Sequence, residues 1–153
     1  MRVHSIRIAV SLFFGACALA ACGGNGSNFN NFPNVQCVYP TGTVVALAYP
    51  APGAVGVPDS PGQIVIAASP ALPNTWQVVL QVPGGGVGYE ALLNTIAPSA
   101  VPTPYATPSF ASPIYETSGL TSALPSATTV TVLLNNTASN CNSYPAVGSF
   151  TTQ

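Results

Sequence analysis

Positive charge is almost absent from this sequence. Of 153 residues, two are Lys or Arg and one is His. Arg2, Arg7 and His4 all fall within the first seven positions, so the chain from Cys22 onward has no basic side chain. Affinity for nucleic acid rests on Lys and Arg neutralising phosphates, and none is available for it. An anionic lipid surface cannot be read electrostatically for the same reason. Without His or Lys there is no Ser-His-Asp, Cys-His or Lys-based nucleophile system. Acids are nearly as scarce: Asp59, Glu90 and Glu116 complete the set. A calcium site needs several carboxylates close together, and a zinc site needs His or Cys ligands in number, so no metal or cofactor is expected.

Strong helix formers are also few, whereas Pro and Gly number 16 and 14. What remains is rich in Ala, Val, Ser, Thr and Asn, with enough apolar residues for a core. Disorder pairs low hydrophobicity with high charge, and this chain has neither. Val, Ile, Thr and aromatics dominate the apolar runs, which favours strands.

Residues 1–7 carry the two Arg, and Ile8–Ala21 is a run of apolar and small residues. A basic start, a short apolar stretch and small residues at a cut site form the layout of a secretory signal. The run is too short to span a bilayer, which takes about 20 apolar residues. Leu19-Ala20-Ala21-Cys22 resembles the lipobox of bacterial lipoproteins. That resemblance implies cleavage of 1–21, lipidation of Cys22, and attachment to the cell envelope by several acyl chains, an anchor more stable than one chain provides. Gly23, in place of an inner-membrane retention Asp, implies the outer membrane if the host has one. Residues 22–36 then comprise the lipidated Cys and a Gly/Asn-rich spacer, read as a flexible tether with a reach of roughly 20 Å.

Residues 37–153 read as one all-β domain. Candidate strands are Thr43–Tyr49, Gln63–Ala68, Trp76–Val82, Tyr89–Ile96, Ile114–Gly119, Thr128–Asn135 and Val147–Thr152. Trp76, Val78, Leu80 and Val82 fall on one face with Gln77 and Gln81 on the other, and Val130, Val132 and Leu134 share one side of a later strand. Gly84-Gly85-Gly86 marks a turn, Pro58–Gly62 another, and Ala97–Ser112 a proline-rich edge or crossing loop. About seven short strands separated by turns indicate an antiparallel sandwich. The run Tyr49-Pro50-Ala51-Pro52-Gly53-Ala54-Val55-Gly56-Val57-Pro58, then Ser69-Pro70-Ala71-Leu72 and the closing Gly148-Ser149-Phe150-Thr151-Thr152, resemble bacterial Ig-like and fibronectin type III-like domains. The resemblance implies an Ig-like sandwich with Trp76 buried on its third strand. It departs from that pattern in having no tyrosine-corner Tyr near Thr128.

Once Cys17 leaves with the signal and Cys22 is acylated, Cys37 and Cys141 remain. Export favours a disulfide between them over free thiols or half of a metal site. In an Ig-like sandwich the lead-in to the first strand and the last hairpin loop lie at one pole, which brings these two cysteines together. Glu90 and Glu116 are the one carboxylate pair that a glycosidase-type mechanism could use, and they read as solvated surface acids. Tyr89, Tyr105, Phe110, Tyr115 and Tyr144 divide between core packing and a recognition surface. The function expected is therefore non-enzymatic: a lipid-anchored envelope module that binds an envelope protein or glycan. The alternatives are a purely structural accessory of an envelope assembly and, remotely, a carboxylate-dependent hydrolase. The sequence does not specify an oligomeric state.

Overall fold

The structure is a computed structural model that describes residues 33–153. The export signal, Cys22 and the tether up to Phe32 lie outside the described residues. Among the described residues, eight strands form two four-stranded antiparallel sheets. They are β1 (Val44–Tyr49), β2 (Gln63–Ser69), β3 (Trp76–Gln81), β4 (Val87–Leu92), β5 (Asn94–Ile96), β6 (Ile114–Gly119), β7 (Thr129–Asn136) and β8 (Ala146–Thr151). The first sheet has the order β1-β2-β6-β5 and the second β4-β3-β7-β8. With β4 taken as an added strand C′ and the others lettered A to G along the chain, the first is an ABED sheet and the second a GFC sheet extended by C′, the immunoglobulin-type arrangement.

Eight strands replace the expected seven because the segment 89–96 does not stay in one sheet. β4 pairs with β3, whereas β5 pairs with β6 in the opposite sheet. The crossing point is Leu93, which is buried in the core and donates its N–H to the Trp76 carbonyl at 2.9 Å. A register shift between Gln77 and Val79 accompanies the departure of the chain.

The core between the sheets is built from the alternating residues of each strand. Leu47, Ile64, Ile66 and Ala68 face Trp76, Val78, Leu80, Val130, Val132, Leu134 and Phe150, with Leu93 among them. Trp76 is fully buried and packs against Tyr39, ring centroids 5.2 Å apart and planes tilted by 39°. The sheets approach closely at Gly148, where an added Cβ would come within 3.0 Å of the Leu47 side chain. The β3–β4 hairpin turns through Gly84, whose φ of +68° suits glycine.

A second apolar cluster lies on the outer face of the first sheet. The proline-rich segment 97–113 crosses this face as a strap. Its Val101, Tyr105 and Phe110 pack with Ala48, Val65, Ala67 and Tyr115. Tyr105 meets Tyr115 edge-to-face at 6.0 Å, and Ala106 N–H bonds the Ala48 carbonyl at 2.9 Å. β2 is consequently buried on both sides, which is why Ile64–Ala68 is an uninterrupted apolar run.

Edges are managed without charge. The segment Gly53–Val57 lies along β8, with Gly53 and Val57 N–H groups donating to the Ser149 and Thr151 carbonyls at 2.7 and 3.1 Å. A disulfide joins Cys37 to Cys141, with Cα atoms 5.1 Å apart and a sequence separation of 104. The ordered body begins before Cys37, within the stretch read as tether. Val35 N–H donates to Asn142 Oδ1, Val35 carbonyl accepts from Asn142 and Ser143 N–H, and Gln36 bridges Ser143. Complementary backbone groups in the 137–145 loop hold this lead-in, so its lack of apolar periodicity did not make it free.

Candidate functional site

The two glutamates are not solvated surface acids. Glu116 is 2% exposed and Glu90 8%. Glu116 sits on the inner side of β6 opposite Ile66, and its Oε2 accepts the Leu72 N–H at 3.2 Å. Burial raises its pKa above the ordinary 4.5, and the Leu72 hydrogen bond draws it partly back. Glu90 Oε2 accepts both the N–H and the hydroxyl of Thr121, at 2.7 and 2.9 Å. Beside it, Ser118 Oγ donates to the Ala91 carbonyl at 2.7 Å. The two carboxylates belong to opposite sheets, and each has its own donors. Glu90 ties β4 to the chain leaving β6, and Glu116 ties β6 to the β2–β3 connection. Asp59 Oδ2 accepts the Ser126 hydroxyl at 2.6 Å, and its carbonyl accepts the Leu124 N–H at 2.8 Å, so it ties the 58–62 turn to the loop before β7. Among the described residues, no group of three or more His, Cys, Asp or Glu is placed to hold a metal ion.

The five aromatics considered for recognition separate cleanly. Tyr105, Phe110 and Tyr115 belong to the strap cluster on the first sheet. Tyr89 and Tyr144 meet on the outer face of the second. Tyr89 rises from edge strand β4 and is 48% exposed, and Tyr144 comes from the loop leading into β8. They therefore start on opposite sides of β3 and β7 and meet across them. Their rings are edge-to-face with centroids 6.2 Å apart, and their hydroxyls lie 2.9 Å from each other. That hydrogen bond, with burial adding to it, raises the Tyr144 pKa above the ordinary 10.0.

Beneath the bridge, the outward residues of β3 and β7 are apolar. Val79 is directly paired with Tyr89 on one side and Leu133 on the other, and both Val79 and Leu133 are buried. An open cleft of about 450 Å³ is lined by Leu133, Tyr89, Tyr144, Gln81, Asn142 and Ser143. Asn142 is fixed by the lead-in segment: its Oδ1 accepts Val35 N–H at 2.8 Å and its Nδ2 donates to the Pro33 carbonyl at 3.3 Å. One residue before it, Cys141 is tied to Cys37. The cleft thus stands on strands and a stapled loop, and it contains no charged side chain.

Sequence reasoning named Tyr89 and Tyr144 but did not pair them, and it overlooked Gln81, Leu133, Asn142 and Ser143. A signal was present. Val78-Val79-Leu80 and Val132-Leu133-Leu134 break the alternation of two strands that otherwise show polar residues outward. An outward apolar residue on each of two paired strands needs a cover, and the tyrosines supply it. Comparison with family models, with curated proteins and with solved structures finds no match for this chain.

Proposed function

We propose that this protein is a lipid-anchored component of a bacterial cell envelope, whose Ig-like module binds an envelope protein or glycan without catalysing a reaction. The observation that carries the binding reading is the outer face of the second sheet. There an uncharged aromatic cleft opens to solvent on rigid strands, beside the Cys37–Cys141 bond. Convergent polar groups around an apolar floor are the composition of a recognition site. The anchor reading rests on the Leu19–Cys22 motif behind a basic and apolar leader, and a disulfide suits a protein that leaves the cytoplasm. A hydrolase reading gains no support from Glu90 and Glu116, since each already accepts structural hydrogen bonds.

The test begins with intact mass spectrometry of protein extracted from membranes. The expected chain starts at Cys22, is heavier by acyl groups, and gains two hydrogens on reduction. Affinity capture from the same extract then asks for a defined envelope component. A chain that retains residues 1–21 without acyl groups would sink the anchor. A protein that captures nothing and stays monomeric at high concentration would sink the binding role.

A further inference from the structure

We infer that the Tyr89–Tyr144 cleft is a binding site for a neutral saccharide. This rests on the proposed role as an envelope-binding module and specifies its ligand.

Charge comes first. No Lys, Arg or His exists among residues 33–153, and the three acids stand elsewhere, with Glu90 and Glu116 buried. A phosphate, sulfate or carboxylate entering the cleft would lose water and meet no counter-charge, which is strongly unfavourable. A cationic ligand would find no carboxylate in the lining. The occupant must therefore be neutral yet capable of many hydrogen bonds, because the rim is polar. Gln81 carries an amide that both donates and accepts, Ser143 a hydroxyl, and the two phenols share one hydrogen bond and keep further capacity.

Shape comes second. A sugar ring has an apolar C–H face and an equatorial belt of hydroxyls. Tyr rings match that pattern, with an aromatic surface for the C–H face and a polar tip for the hydroxyls. Leu133 provides an apolar floor and Tyr89 an exposed aromatic wall, with amide and hydroxyl groups at the rim. The volume of about 450 Å³ suits an oligosaccharide segment of one or two rings. An extended peptide would seek a strand edge for its backbone, whereas this cleft lies on the face of the sheet, over β3 and β7.

Preorganisation comes third. Asn142 is held by two hydrogen bonds to Pro33 and Val35, and Cys141 by the disulfide, so the loop that carries Ser143 and Tyr144 is fixed before any ligand arrives. Little ordering is left for binding to oppose.

The experiment uses the full chain, exported, oxidised and recovered from membranes in a zwitterionic detergent, since glycoside detergents would compete. Binding is measured by calorimetry and by co-sedimentation with insoluble neutral polysaccharides and purified cell-wall glycan. The expected result is saturable binding that changes little between low and high salt. Tyr89→Ala should weaken it by about tenfold or more, through loss of stacking. Tyr144→Phe, which keeps the ring, should weaken it by a smaller factor. Val55→Ser, at an exposed loop position remote from the cleft, should leave it unchanged. Thermal melts of each variant confirm folding. Binding that Tyr89→Ala and Tyr144→Phe leave intact would overturn the assignment of the site. No binding to any neutral glycan, with a protein captured through the same face, would overturn the saccharide and leave the module reading standing. Failure to capture any envelope component would end both.

Discussion

Val65 and Val79 hold matching places in the two sheets. Each points outward from a central strand, and each is fully buried. Their cover differs. Val65 lies under the 97–113 strap, packed with Val101, Tyr115 and their neighbours in a continuous apolar layer. Val79 has Tyr89 and Leu133 as its cross-strand partners, and Tyr89 is in turn bridged to Tyr144. Around it, Gln77, Gln81, Thr129 and Thr131 reach the surface. One outer face is thus a second core, and the other is a polar surface with a small aromatic roof. Of the two outer faces, one is closed over by chain and the other carries a cleft open to solvent.

The comparison can be broken most severely at Val65. Val65→Asp places a carboxylate under the strap with no partner, a penalty of more than about 4 kcal/mol, and should remove the cooperative melt followed by circular dichroism. Next in size is the disulfide. Replacing Cys37 and Cys141 together by Ala should lose about 3 kcal/mol in a urea titration, inside the usual disulfide range and below the roughly 4.7 kcal/mol ceiling for a closed loop of this length. Amide exchange at Asn142–Tyr144 should quicken before exchange in β2 and β6, because the open face stands on the stapled loop. Phe110→Ala should cost about 2 kcal/mol, less than a fully buried Phe, since its side chain is only partly buried on the strap.

A subtler test concerns the inner side of the covered sheet. Because the folded-state pKa of Glu116 lies above 4.5, the native protein holds a proton that the unfolded chain releases. Its contribution is neutral below that pH, and stability falls as pH rises from about 4.5 through the folded-state value. Glu116→Gln should flatten this decline in denaturation midpoints measured across the acid range, and should stabilise the protein at neutral pH. Smallest of all is Thr129→Asp on the open face, expected within about 0.5 kcal/mol of the parent. A loss there as large as that of Phe110→Ala would mean the second face is covered as well.

How far the sequence revealed these two faces depended on the type of signal. Strand positions were legible from alternation, Pro and Gly, and Trp76 and the cysteine pair stand where the sandwich reading put them. The break at Leu93 was not legible. Tyr89–Ile96 is a continuous β-type run, and only the opposite sheet's need for a fourth strand diverts its second half. The glutamates misled because two acids in a nearly uncharged chain look like surface residues. Their burial depends on donors, Leu72 N–H and the Thr121 N–H and hydroxyl, that lie 44 and 31 residues away in sequence. The candidate site was half visible. Its tyrosines stood out by type, but their meeting depends on β3 and β7 lying between them, which is a property of strand order. The covering role of 97–113 was hidden for a related reason: prolines report where a chain cannot pair, not which surface it crosses.

The position of the Cys37–Cys141 bond also determines how the body bears tension. Pulled from its N-terminal side and held at the cleft, the chain carries load from Cys37 across the bond to Cys141 and on to Tyr144, three residues later. Strands β1 to β7 all lie inside the closed covalent loop and are bypassed. Between the bond and the cleft only Asn142–Tyr144 can be drawn out, a length of roughly 10 Å at full extension. Under load the module behaves as a short link with a folded weight hung beside it, so a pull that would unravel most single-domain proteins leaves this one nearly inextensible.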